Sequence, residues 1–371
     1  MYKSKNIVLV LIFCGFLAVM TLGLLFFPKR EFSAVENRFL EQMPQLSLGG
    51  VLDGTYMYNL EQYVSDHVFL RDRWVQIHAS IEQISGKSEN GGVYFAKKDT
   101  LLYRVEEPEA TRIEKNISYI NTFVQKCQVP VYFGLIPTAA QIWADRLPLY
   151  APTADEYCWI QNCYESCIAR PVDILGTLME HSEEAVFYRT DHHWTTLGAF
   201  YAANEVFRTM GVETLSEYDY EPVTVSENFY GTLWSSSGAW WISPDTIEMW
   251  VPQENIEVVS WFDTKPESGS LYQEAYLEEK DKYSFFLGGN QPLCVIKTGI
   301  SGDKLLVIRD SYTDALTPFL TERFSEIHLF DLRYNKLNVL DYINVNEIDV
   351  VLILYGFSGF SEERSFVFLS R

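Results

Sequence analysis

Four strand-length runs constrain this chain more than any other feature: VPVYFGLIP (129–137), EAVFYR (184–189), KLLVIRD (304–310) and DVVLILYG (349–356). They are apolar on successive positions rather than alternate ones, so both faces of each strand need cover, as in a parallel sheet between helices. Helical periodicity in ATRIEKNISYINTFVQKCQ (110–128), at 196–209 and at 312–323 supplies that cover. The expected fold class is therefore α/β, a parallel sheet flanked by helices. Hydrophobic residues at 47% and aromatics at 15% furnish a core and exclude global disorder.

The N-terminus sets a second constraint. After Lys3 and Lys5, the run Ile7–Phe27 contains no charge. A run of about 20 apolar residues matches the hydrocarbon thickness of a bilayer. It exceeds the roughly 7–15 residues of a signal-peptide core, and no A-x-A cleavage site follows. Residues 1–30 are read as an uncleaved membrane anchor and 31–371 as one α/β domain. Lys29 and Arg30 balance Lys3 and Lys5, so charge alone does not orient the span; the domain is expected outside the cytoplasm.

Residues 28 to about 95 read as a stalk and an entry helix over 64–85, followed by a hairpin around Lys98 and Asp99. Residues 210–300 break the α/β alternation and are expected to form a β-rich insertion holding Trp234, Trp240, Trp241, Trp250 and Trp261. The net charge of -21 excludes a nucleic-acid partner, because phosphate binding needs a basic surface. It leaves neutral ligands, sugars and cationic partners. Of six cysteines, Cys14 lies in the anchor, leaving an odd five. CWIQNCYESC lacks the paired C-x-x-C units of a zinc site, and free or partly bridged thiols are expected.

Two stretches carry candidate chemistry. In KLLVIRDSYTDALTPFL an apolar strand ends at Arg309, Asp310 and Ser311 form the turn, and a helix begins. Ser311 is either an N-cap or a nucleophile at the carboxyl edge of a parallel sheet, above helix N–H groups suited to an oxyanion. In YRTDHHW (188–194) an acid precedes two adjacent histidines. Neighbouring side chains diverge and no later histidine cluster supplies a third ligand, so no metal is expected. In an extended segment Asp191 and His193 point the same way and His192 away. Asp191 then holds the His193 tautomer while the other nitrogen activates a serine, and Trp194 packs.

DHHW at 191–194 is the signature of the DHHW family, and it resembles the D-x-H-W motif of the alginate O-acetyltransferase-like branch of the SGNH hydrolases. The similarity runs from ENRFL at 36 through VLILYG at 351. The resemblance implies an SGNH-like, flavodoxin-like sheet, with Asp191 and His193 as acid and base and Ser311 as nucleophile, in permuted chain order. It implies two-step acyl transfer through an acetyl-serine without a cofactor, on a cell-surface polysaccharide, with a membrane-bound acyltransferase as acetyl source. A carbohydrate acetylesterase with the same triad, and a non-catalytic scaffold binding a glycan or a synthase, are the alternatives. Two departures stand out. Arg309 replaces the glycine before D-S and is expected to alter access to the site, and no G-x-N-D block is visible. Gly231 in FYGTL and Asn290 in LGGNQP are the oxyanion candidates.

Overall fold

The computed structural model describes residues 2–251, 255–261 and 265–370. The chain forms two compact units, one of residues 1–91 with 235–241, the other of 92–234 with 242–371.

The first unit contains α1 (Tyr2–Phe26), α2 (Leu48–Asp53), α3 (Thr55–Asp66) and α4 (Arg71–Ile84). The stretch Asn6–Phe26 of α1 is long and apolar enough to cross a membrane. The entry helix expected over 64–85 is broken. Helix α3 stops at Asp66, Leu70 takes a left-handed conformation (φ 58°) at the N-cap of α4, and Asp66 turns to Arg38 and the Glu41 N–H.

In the second unit, β1 (Val93–Ala96) and β2 (Thr100–Tyr103) make the expected hairpin. Lys98 (φ 58°) and Asp99 (φ 54°) supply its left-handed turn. Then come α5 (Ala110–Lys126), β3 (Val131–Ile136), α6 (Glu156–Ser166), β4 (Arg170–Val172), α7 (Ile174–Glu180) and α8 (Thr196–Met210). Next are β5 (Val223–Phe229), β6 (Asp245–Met249), β7 (Glu257–Trp261), β8 (Pro266–Gly269), β9 (Leu293–Lys297) and β10 (Lys304–Arg309). The chain closes with α9 (Thr313–Leu320), β11 (Glu326–Phe330), α10 (Val339–Asn346) and β12 (Val350–Gly356) before short terminal helical turns.

Eight strands form one sheet in the order β8-β7-β9-β11-β10-β12-β3-β4. The five from β11 to β4 run parallel and the three at the other edge antiparallel. All of β3 and β12 is buried, as their unbroken apolar sequences require. Helix α5 buries Ile113, Ile117, Ile120 and Phe123, a stripe at three- and four-residue spacing. Residues 210–300 divide: β5 and β6 pair with each other, while β7, β8 and β9 extend the main sheet. The six cysteines are free thiols. Burial pushes the Cys163 thiol up to about 12 and Cys167 up to about 11, which makes both poor nucleophiles.

The run EAVFYR is not a strand. Beyond a single bridge between Phe187 and Trp194 it folds into a closed loop. The Tyr188 N–H donates to the His193 carbonyl (3.1 Å) and the Thr195 N–H to that of Val186 (3.0 Å). Val186, Phe187 and Tyr188 are apolar because the loop is buried in the core, a cause that sequence alone does not separate from sheet burial.

Glu156, at the start of α6, is fully buried and accepts from the Thr138 N–H (2.9 Å) and hydroxyl (2.5 Å). Burial outweighs these bonds and raises its pKa to about 7 from an ordinary 4.5. The folded protein thus keeps a proton that the unfolded chain releases, so stability falls as pH rises between those values. The loss reaches up to about 3 kcal/mol. Glu156→Gln keeps an acceptor for Thr138 and removes the titration. Its thermal unfolding midpoint, measured on the full chain in detergent, is expected to gain on wild type between pH 5 and pH 8. A gap that stays constant across that range contradicts the assignment.

Candidate active site

The turn after β10 places Ser311 at the carboxyl edge of the parallel strands, where open α/β sheets bind ligands. Asp310 pins that turn. One carboxylate oxygen accepts from the Tyr312 N–H (3.1 Å) and the other from the Gly356 N–H at the end of β12 (2.8 Å). Ser311 is partly exposed, and its own N–H donates to nothing among the described residues.

His193 comes to Ser311 from the loop before α8. Its Nε2 lies 2.8 Å from Ser311 Oγ and its Nδ1 2.6 Å from Asp191 Oδ1. A carboxylate only accepts, so Nδ1 carries the proton and Nε2 is free to take one from the serine. Asp191 Oδ1 also accepts from the His193 N–H (3.0 Å), and Oδ2 accepts from the Thr232 N–H (2.7 Å) and hydroxyl (3.0 Å). Burial alone would raise the Asp191 pKa. The His192 and His193 imidazoles and these hydrogen bonds outweigh it and hold the carboxyl well below the usual range.

The extended geometry expected at 191–193 is not present. The bond from the His193 N–H to the Asp191 side chain bends the chain, as Asp commonly does two residues ahead. His192 therefore does not point away. Its ring lies 3.8 Å from that of His193, and its Nδ1 is 2.8 Å from Thr232 Oγ1. Asp191, His192 and His193 bring ligand atoms within 4.8 Å of one another, as a metal site would need. Both ring nitrogens of His193 are nevertheless already engaged, one by Asp191 and one by Ser311.

Gly231 packs against the acid rather than facing the serine. Its N–H goes to Thr190 Oγ1 (3.1 Å), and a Cβ there would meet Asp191 Cβ at 2.3 Å. Glycine is what lets the next residue, Thr232, close on the carboxylate. Asn290 is exposed, its side-chain carbonyl accepting from Arg333 (3.1 Å), and no contact among the described residues brings it to Ser311. Arg309 does not alter access. It is fully buried and paired with Asp314 at 2.6 Å, tying the strand end to the first turn of α9 beneath the serine.

Sequence reasoning missed the aromatic supports. The Tyr283 ring stacks on His193 (3.7 Å between centroids, 8° between planes), and its hydroxyl donates to the Ser311 carbonyl (3.1 Å). Tyr312 donates to the His192 carbonyl (2.6 Å), and Trp194 Nε1 to the Tyr312 carbonyl (2.9 Å). Lys280 donates to the Tyr230 carbonyl (2.5 Å) 4.7 Å from the Trp234 ring centroid, and burial pushes its pKa down to about 8. Nothing in the pattern around Lys280 or Tyr283 marks them, since they lie in an irregular turn some 90 residues from the histidines.

A family model described as DHHW protein matches residues 105–330, more than half of the chain. The chain belongs to the DHHW family. A crystal structure of a DHHW family protein from Eubacterium siraeum is similar at 25% identity and a TM-score of 0.67, covering 76% of this chain and 95% of that one. Bacillus cereus PatB1, solved with a sulfonyl adduct, shares the fold at 21% identity and a TM-score of 0.62, covering 74% of this chain and 98% of its own. No curated protein matches by sequence. The chain shares the α/β fold of these neighbours and carries an apolar N-terminal helix.

Proposed function

We propose that this DHHW protein is a membrane-anchored, extracytoplasmic serine acyl-transfer enzyme, an O-acetyltransferase of a cell-surface polysaccharide. The observation that carries the reading is the continuous chain Asp191–His193–Ser311, with hydrogen bonds of 2.6 and 2.8 Å. It supports an enzyme over a scaffold, because a scaffold has no need of a serine within proton-transfer range of an acid-held imidazole.

In the first step His193 Nε2 takes the hydroxyl proton as Ser311 Oγ attacks the acetyl carbonyl carbon. The Ser311 N–H, which has no acceptor among the described residues and precedes the start of α9, is available to the developing oxyanion. The bond to the donor's oxygen breaks, that oxygen receives the proton from His193, and acetyl-Ser311 remains. In the second step His193 takes the proton of a sugar hydroxyl. That oxygen attacks the acetyl carbon, and Ser311 Oγ leaves with the proton. Water in place of the sugar makes the same site an esterase. A membrane-bound acyltransferase as acetyl source and a span over 7–27 suit a polymer modified at the membrane.

The test is mass spectrometry of the full-length protein after incubation with an activated acetyl ester. Acetyl is expected on Ser311 in wild type and absent from His193→Ala. A sulfonyl fluoride, chosen because PatB1 was solved with a sulfonyl adduct, is expected to label Ser311 likewise. Failure of both reagents on the folded protein, or label on another residue, rejects the reading.

A further inference from the structure

The loop after β3 carries a cation that the acyl-transfer reading does not use. Arg146, in the turn Ala144–Arg146, is only 8% exposed. Its guanidinium carbon sits 3.7 Å from the centroid of the Trp143 ring, which is itself anchored by a bond from Nε1 to the Ser182 carbonyl (2.9 Å). The guanidinium makes no hydrogen bond or ion pair among the described residues, and its Nε is buried without a partner. The carboxylates that act on it through space, Asp145 and Glu183, lie within 4 Å of Lys98 instead. The other deeply buried arginine, Arg309, has Asp314 at 2.6 Å. An unpaired buried charge is costly, and burial accordingly lowers the Arg146 pKa.

Arg146 lines a cleft of about 300 Å³ together with Trp143, Phe187, Tyr188, Arg189 and Pro244. Arg189 is committed to Asp245 (3.2 Å) and Asp99 (2.8 Å), which leaves Arg146 as the arginine of the cleft with no hydrogen bond or ion pair among the described residues. Glu183, Glu184 and Asp245 also line it, Asp245 being paired with Arg189, so a diffuse polyanion is disfavoured and a single compact anion seated on the guanidinium is favoured. A planar guanidinium edge matches a carboxylate bidentately.

We propose that this cleft is a carboxylate-binding site, with Arg146, stacked on Trp143, as its anion receptor. One wall, Phe187–Arg189, belongs to the loop that carries Asp191 and His193, the Tyr188 N–H donating to the His193 carbonyl. A bound carboxylate therefore sits against the loop that positions the base. A free small carboxylate and the carboxyl of an acidic sugar share this chemistry.

Calorimetric titration of the full chain in detergent, at fixed ionic strength, tests the site with acetate, glucuronate and uncharged glucose. Wild type is expected to bind a carboxylate and not glucose. Arg146→Gln is expected to weaken that binding tenfold or more, Arg146→Lys to weaken it less, and Ser311→Ala to leave it unchanged. Tighter binding of glucuronate than acetate assigns the site to an acidic sugar, and equal binding to a free carboxylate. Absence of carboxylate binding in wild type, or an unchanged Kd in Arg146→Gln, overturns the proposal. If Arg146→Gln does not fold, an unchanged Kd in folded Arg146→Lys with a glucose response equal to that for acetate does so. Binding is read without turnover, so failure here leaves the acyl-transfer reading intact.

Discussion

Ser311→Ala is expected to leave a folded protein whose acetyl-ester turnover drops by about 10³–10⁶-fold. The fold should survive because Ser311 contributes little to it beyond its backbone. The turn is held by Asp310 to Tyr312 and Gly356, and by Tyr283 to the serine's carbonyl, none of which uses Oγ. Among the described residues the one bond that Oγ makes is to His193 Nε2. Without it there is no atom to carry the acetyl group, and the residual rate comes from binding and oxyanion stabilisation alone. The measurement is the initial rate with an activated acetyl ester beside circular dichroism and a melting curve. Wild-type turnover in a natively folded Ser311→Ala protein rules out the acetyl-serine route.

Asp191→Asn is expected to cost on the order of 10⁴-fold in kcat with a small change in KM. All four bonds at Asp191 are accepted, from the His193 N–H and Nδ1 and from the Thr232 N–H and hydroxyl. An asparagine has one oxygen, which accepts, and one NH₂, which only donates. Turned with its oxygen to Thr232, it sets its NH₂ against His193 Nδ1, which must then be the unprotonated nitrogen. The proton moves to Nε2, and the base can no longer accept from Ser311. Turned the other way, the NH₂ faces the Thr232 N–H, and one buried donor goes unpaired. The negative charge that steadies the imidazolium is lost in either case. Because Asp191 stands behind His193 and does not touch substrate, the loss should fall on kcat. A variant with wild-type kcat, or one whose loss lies wholly in KM, contradicts this role.

Much of the fold was legible because burial writes itself into composition. The wholly apolar runs at 131–136, 305–308 and 350–356 lie in central strands of one sheet, and the apolar stripe at 113–123 is a helix packed in the core. The same logic failed at 184–189, because a buried loop selects apolar residues as a buried strand does. The candidate site was legible where chemistry is carried by rare residue types at local spacing. Asp191 and His193, two apart, and Ser311 at a strand-to-helix turn are such a pattern, and the fold closes the 118-residue gap between base and serine.

Only the tertiary structure decided what surrounds those three. The alternation rule put His192 on the far side, yet a single bond from the His193 N–H to the Asp191 side chain curls the segment and leaves the two rings side by side. Gly231 and Arg309 carried chemical expectations as residue types. Packing gave the glycine to the acid's backbone cradle and the arginine to Asp314 under the serine. Tyr283, Thr232 and Arg146 left no mark in the sequence, because their significance lies in what approaches them from elsewhere in the chain. Local pattern records which groups a chain carries and which faces it must hide. The partner of each polar group is chosen by contacts between distant segments, and only the closed fold sets those.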